Sequence, residues 1–202
     1  MFAEMQPLFW RIRDADTNGC DAVSLLMPSD DSGEPETEFP TDVAFLSRRR
    51  SSDIVDLKWS DDDSDLFLSL LERINPPENE LEDEDGITLD INDGVVQGIV
   101  QLVALARFQT PLPSDELMAA DINTLRDELE VGDLVSLNTL HGYCLAIVIG
   151  LDSIDATCVL LEDVCDDAQI LINDHSVLVV NRMSVVSAAF HRDDLGEEAT
   201  FH

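Results

Sequence analysis

Any fold this chain adopts must keep 43 Asp and Glu side chains in water while offering only 11 Lys and Arg to pair with them. The formal net charge is −32 over 202 residues, and ionised carboxylates are almost never buried unpaired. The anions are spread along the chain. Residues 1–101 hold 25 acids and seven bases, and residues 102–202 hold 18 and four. Acidic disordered tails gather their charge in blocks, so this distribution describes a folded body that is acidic over its whole surface. Material for a core is ample: 45% of residues are hydrophobic and the mean hydropathy is close to zero, well outside the range of disordered chains. The length suits one good-sized domain or two small ones.

The charge excludes two function classes. Backbone-driven binding to nucleic acid and attraction to anionic membranes both need clustered cations. No run of 18 apolar residues is present to span a bilayer, and the start MFAEMQPLFWRIRD lacks the basic-then-apolar pattern of a signal peptide. A cytoplasmic or virion-associated protein is expected. Cys20, Cys144, Cys158 and Cys165 form no CxxC pair and suggest no disulfide framework, which agrees with a reducing interior.

Two physical explanations compete for the acidity. Ten of the cations are Arg and Lys58 is the lone Lys, while 28 of the acids are Asp. In a cytoplasm of multimolar salt the Debye length falls to about 3 Å or less. Self-repulsion is then screened, and short hydrated carboxylates keep the surface soluble. Lys, with its long apolar stem, is the cation to lose. This pattern resembles proteins of halophilic microbes and their viruses. The second explanation is a DNA mimic, a carboxylate array that occupies the groove of a host DNA-binding or defence enzyme and inhibits it. A mimic needs its acids on one elongated face. Here the acidic runs (Asp30–Asp31, Glu34–Glu38, Asp61–Asp65, Glu78–Asp85) fall mostly in expected loops, so salt adaptation is the stronger reading.

Along the chain, Leu8–Arg13 and Ala22–Met27 read as a β-hairpin around a polar, Gly-containing turn. A Pro-, Gly- and acid-rich loop follows over 28–41. Asp42–Ser47 and Ile54–Trp59 read as short strands. Acids cluster before Leu66–Ile74, so the pattern predicts a helix over Asp62–Ile74. A second acidic loop over 75–92 leads to Val95–Ala106, twelve residues without a charge. These are too few to cross a bilayer and apolar around most of the circumference, hence a buried helix. Another helix is expected from Ser114 to about Glu130. From Val131 to Phe190 the texture is β-rich, with strands expected at Leu134–Asn138, Tyr143–Leu151, Ala156–Asp163, Gln169–Ile172, Val177–Val180 and Ser184–Phe190.

The opening Val131-Gly-Asp-Leu-Val-Ser-Leu137, followed by a long strand into Gly150, resembles the first hairpin of small Tudor-like or KOW-like barrels. The expected fold is therefore α+β: an N-terminal hairpin and helical portion (1–130), a small antiparallel barrel (131–191) and an acidic tail (192–202). In the long strand, Tyr143, Leu145, Ile147, Ile149 and Leu151 fill one face while Cys144, Ala146, Val148 and Gly150 fill the other. A solvated barrel strand alternates apolar with polar. Here the outside must be covered, by the 95–106 helix or by a subunit or partner protein, so Tyr143, Leu145 and Ile147 are candidate partner contacts.

Four constellations bear on chemistry. Asp14, Asp16, Asn18 and Asp21 around Gly19 match the first half of a calcium loop, which needs six to eight oxygens from a curled backbone. The twelfth position, where a bidentate Glu belongs, holds Leu25, and turn formers at this density are ordinary. Asp83, Asp85, Asp90 and Asp93 make a looser second set. His141 and His175 share the β-region with three of the cysteines, so a fold-assembled zinc site competes with cysteines that are simply small buried hydrophobes. Arg48-Arg49-Arg50 is the main cationic cluster, suited to binding a phosphate or an acidic patch on a neighbouring subunit, or to pairing with nearby Asp53 and Asp56. No Gly-rich phosphate loop, nucleophile elbow or His-Glu-x-x-His pattern occurs. The sequence thus reads as a non-enzymatic acidic interaction or assembly protein without a resident cofactor, calcium excepted.

Overall fold

The computed structural model describes residues 7–14, 19–27, 37–46, 54–74, 92–114, 116–119, 129–166 and 169–188. These form a mixed α+β structure with two helices and mostly antiparallel strands. The chain divides into two compact units, Met1–Phe108 and Gln109–His202.

In the first unit, β1 (Phe9–Asp14) and β2 (Cys20–Met27) make the expected hairpin, closed through Gly19 at φ 77°, a conformation that favours glycine. Period-2 alternation puts Trp10 and Ile12 inside and leaves Arg11 and Arg13 on the opposite face. The next strands are β3 (Thr37–Leu46) and β4 (Val55–Lys58). They do not pair with each other; the sheet order is β3-β2-β1-β4 and all pairings are antiparallel. β3 starts five residues earlier than the Pro- and acid-rich stretch predicts. Pro40 is accommodated on this edge strand, where a ladder N–H is dispensable.

Helix α1 (Asp61–Ile74) begins in a reciprocal cap: Ser60 N–H donates to Asp63 Oδ2 (2.8 Å) and Asp63 N–H to Ser60 Oγ (3.2 Å). Asp61, Asp62 and Asp63 in the first turn also favour the helix dipole. Helix α2 (Gly94–Phe108) is capped by Asp93, whose Oδ1 accepts from Val95 N–H at 2.7 Å. Val96, Ile99, Val100, Leu102, Val103, Ala104 and Leu105 are buried, as an uncharged run requires. α2 packs on α1 and β3, and its Gln101 side chain accepts from the β3 N–H of Asp42 at 3.0 Å. An aromatic cluster fills the space between sheet and helices. Trp10 stacks on Trp59 (centroids 5.1 Å, 29°) and meets Phe108 edge-on (5.7 Å, 86°), while Phe45 stacks on Phe108 and Phe67 tilts against Trp59.

In the second unit, β5 (Leu112–Pro113) precedes β6 (Leu134–Thr139), β7 (Gly142–Leu151) and β8 (Asp155–Leu160). After these come the small hairpin β9 (Val164–Asp166) and β10 (Gln169–Ile172), then β11 (Val177–Asn181), a 3-10 turn at Arg182–Ser184, and β12 (Val185–Ser187). The main sheet has the order β12-β6-β7-β8-β11-β5, antiparallel except for the parallel β11–β5 pair. Its core holds Val135, Leu137, Cys144, Ala146, Val148, Cys158, Leu160, Leu178, Val180 and Val185.

None of the described residues from Ser114 to Glu130 lies in the expected helix; 115 is outside the described set. Pro113 pairs with Val179 in the ladder, and the Ser114 hydroxyl donates to the Val179 carbonyl at 2.6 Å. One turn follows, with Leu117 and Met118 N–H both reaching the Ser114 carbonyl, and Met118 then bridges to Thr139 of β6. Pairing with β11 and β6 thus engages Leu112, Pro113 and Met118. Residues 120–128 lie outside the described set. β8 stops at Leu160 rather than Asp163, because Leu161 and Glu162 turn back onto β7: Leu161 N–H reaches the Leu145 carbonyl (2.9 Å) and Glu162 Oε1 accepts from Leu145 N–H (2.6 Å). Among the described residues no continuous strand ladder closes the sheet into a barrel.

Candidate functional site

Asp14 and Asp21 are the last register pair of the β1–β2 hairpin, with Asp21 itself buried. Asp16 and Asn18 lie outside the described residues. Leu25, at the position a calcium loop gives to its bidentate Glu, is 1% exposed and pairs with Trp10 in the core. The strand that this hairpin needs has thus taken the place of the second half of a metal loop. Of the second acidic set, Asp93 serves as the α2 cap and the other three are outside the described residues. No group of three or more His, Cys, Asp or Glu side chains capable of holding a metal ion occurs among the described residues. His141 Nδ1 lies 3.5 Å from Asp166 Oδ1, and His175, with φ 58°, has Nδ1 3.7 Å from its neighbour Asp174.

Arg48, Arg49 and Arg50 fall outside the described residues. On β7, Tyr143 and Leu145 are half-buried and Ile147 is 6% exposed, while Cys144, Ala146 and Val148 on the other face join the core. Both faces of the middle of this strand are thereby withdrawn from water: Ile149 is buried as well, as are Val159 and Val177 on neighbouring strands.

Two thiols are buried in the core of the second unit. Burial pushes the Cys158 thiol up to about 12; burial, together with the carboxylates of Glu162 and Asp163, pushes Cys144 up to about 12. The thiolate is the reactive species. At pH 8 a disulfide-exchange reagent is therefore expected to modify exposed Cys165 in the native protein and to reach Cys144 and Cys158 only after denaturation. Mass mapping of rapid native labelling on Cys144 or Cys158 would contradict their placement.

Among the described residues a denser electrostatic constellation lies elsewhere, on Arg11, Arg13 and Glu38 together with Asp56, which the sequence had offered to Arg48–Arg50. Arg11 grips Asp56 of β4 in a two-pronged pair, Nε to Oδ1 and Nη2 to Oδ2 both at 2.8 Å. Arg11 Nη1 also lies 3.6 Å from Glu38 Oε2, and Arg13 Nη2 bonds the same carboxylate. Cations on alternate residues of β1 thus stitch the edge strands β3 and β4 to the centre of the sheet. The only advance signal is the Arg-Ile-Arg alternation inside an apolar strand. The Arg11 hydrogen bond holds the Asp56 carboxyl below the ordinary value of 3.8. A carboxyl more acidic folded than unfolded stabilises the fold above its unfolded pKa and loses that contribution as pH falls through the folded value. Replacing Asp56 with Asn is accordingly expected to lower stability at pH 7 and to flatten the acid limb of a Tm-versus-pH curve below about pH 4. The pair is part-exposed and screened, so the effect is modest.

No protein-family model matches this chain, and no curated protein matches it.

Proposed function

We propose that this chain is a non-enzymatic acidic interaction or assembly protein adapted to high salt, of a halophilic microbe or its virus. The observation that carries the reading is the choice of charged residues: 43 acids, 28 of them Asp, against ten Arg and one Lys. Short carboxylates hydrate strongly, and at high ionic strength their mutual repulsion is screened. The second unit is a small barrel of the Tudor- or KOW-like kind. Supporting this are the strand order β12-β6-β7-β8-β11, the 3-10 turn between β11 and β12, and the 112–119 segment that reaches from β11 to the end of β6. Partner or subunit contacts are made by Tyr143 and Leu145, backed by Ile147, and by the Arg48–Arg50 loop.

Circular dichroism from about 0.1 M to 3 M KCl tests this reading: the melting temperature rises steeply with salt if repulsion between carboxylates limits stability. A flat or falling curve would overturn it. One observation favours a second reading, a DNA-mimic inhibitor: α1 exposes Asp61, Asp62, Asp65 and Glu72 along its length. That reading requires a DNA-binding enzyme that the protein displaces from duplex DNA in competition.

A further inference from the structure

Among the described residues the sheet of the first unit ends at β4, and all four residues of that strand are exposed. Trp59 N–H bonds to the Leu8 carbonyl at 2.9 Å, and β4 pairs with β1 through Lys58↔Phe9, Leu57↔Trp10, Asp56↔Arg11 and Val55↔Ile12. In an antiparallel ladder the main-chain groups of successive residues point alternately to the two sides. Leu57 and Val55 therefore address β1, and the N–H and C=O groups of Asp56 and Lys58 address the open edge. A lysine on an edge strand ordinarily guards it against pairing. Here the guard has its complement two residues away on the same strand, and Lys58 is the chain's lone lysine.

We infer that β4 is a self-complementary edge whose occupant is the β4 strand of a second copy of this chain, paired antiparallel about Leu57. A two-fold axis normal to the sheet keeps like faces together, so only registers that set a residue opposite one of the same parity are open. Centring on Asp56 would oppose two aspartates, and centring on Lys58 would oppose two lysines. Centring on Leu57 sets Asp56 of each copy opposite Lys58 of the other. In that register the same two residues exchange the outward main-chain hydrogen bonds. Leu57, 36% exposed, meets Leu57 of the second copy on the opposite face, and Val55, 40% exposed, falls opposite Trp59 of that copy. Of the registers centred within β4, this one alone sets unlike charges opposite each other. The contact uses neither β7 nor the arginine loop and does not depend on the function proposed above.

Sedimentation velocity of the full chain from micromolar to millimolar concentration, in about 0.5 M KCl to screen the net charge, tests it. A concentration-dependent dimer is expected. Lys58→Glu and Asp56→Lys each set like charges opposite one another and should weaken self-association about tenfold or more. Mixed, the two variants bring a β4 strand with acids at both outward positions against one with lysines at both, and should form a heterodimer. Lys58→Pro removes an outward N–H without touching the β1 ladder and should abolish the dimer while leaving the circular dichroism spectrum unchanged; it decides the matter even if Asp56→Lys fails to fold. A wild-type protein monomeric throughout, or a dimer indifferent to Lys58→Glu and Lys58→Pro, would overturn the inference.

Discussion

Trp10→Ala is expected to destabilise the first unit by about 3–5 kcal/mol, the range for truncating a fully buried aromatic. Trp10 is 0% exposed, stacked on Trp59 and edge-on to Phe108. It is also held from both sides in the sheet, paired with Leu25 on β2 and Leu57 on β4. Its neighbours thus sit on strands and a helix that cannot close over the vacated volume, which places the loss towards the top of the range. For a unit of this size the shift in Tm is more than about 10 °C. Both tryptophans belong to this unit, so the emission of the remaining Trp59 reports its unfolding directly. Trp10→Phe keeps a ring against Trp59 and should recover most of the loss. A Trp10→Ala variant melting within a few degrees of wild type would show that the cluster is not the core of this unit.

The second large effect belongs to Leu178→Ala, expected to cost the second unit about 2–5 kcal/mol. Leu178 is 0% exposed in the core with Leu137, Val148 and Leu160. It stands between Cys158 on β8 and Leu112 on β5. Urea denaturation followed by far-ultraviolet circular dichroism measures the loss, and the Cys158 thiol across the ladder supplies a local probe. Its labelling rate should rise with the opening population, whereas an unchanged rate would mean that Leu178 does not hold this part of the sheet closed.

The elements legible in the sequence are those with strong periodicity and ordinary boundaries. The 9–27 hairpin, both helices of the first unit and the β6–β7–β8 meander each combine a clear apolar pattern with Gly, Asp or Ser at the ends. The described residues just after Pro113 depart from the expected helix because their decisive interaction is with a strand 65 residues away, whose Val179 carbonyl takes the Ser114 hydroxyl. Local propensity cannot register such a pairing. β3 reads short in the sequence because Pro40 signals a break, and only its edge position makes proline tolerable there. For the site, the Asp14–Asp21 turn is visible as a density of turn formers, and Leu25 already argues against a complete metal loop; its burial opposite Trp10 supplies the reason. The Arg11–Asp56 pair joins residues 45 apart, so neither partner identifies the other without the fold.

The pairing pattern of the second unit also dictates an order of assembly during synthesis. β6, β7 and β8 are successive neighbours with short turns and can zip as soon as they emerge. Leu112 and Met118 leave the ribosome before any of them, yet Leu112 must wait for Leu178 and β6 must wait for Val185 to cover its open side. Loop closure over such separations is slow compared with hairpin formation. Until those strands are in place, a β6–β7–β8 meander would have both of its border strands, β6 and β8, without their final partners. A net charge of −32 adds repulsion between any two chains that would meet at such borders.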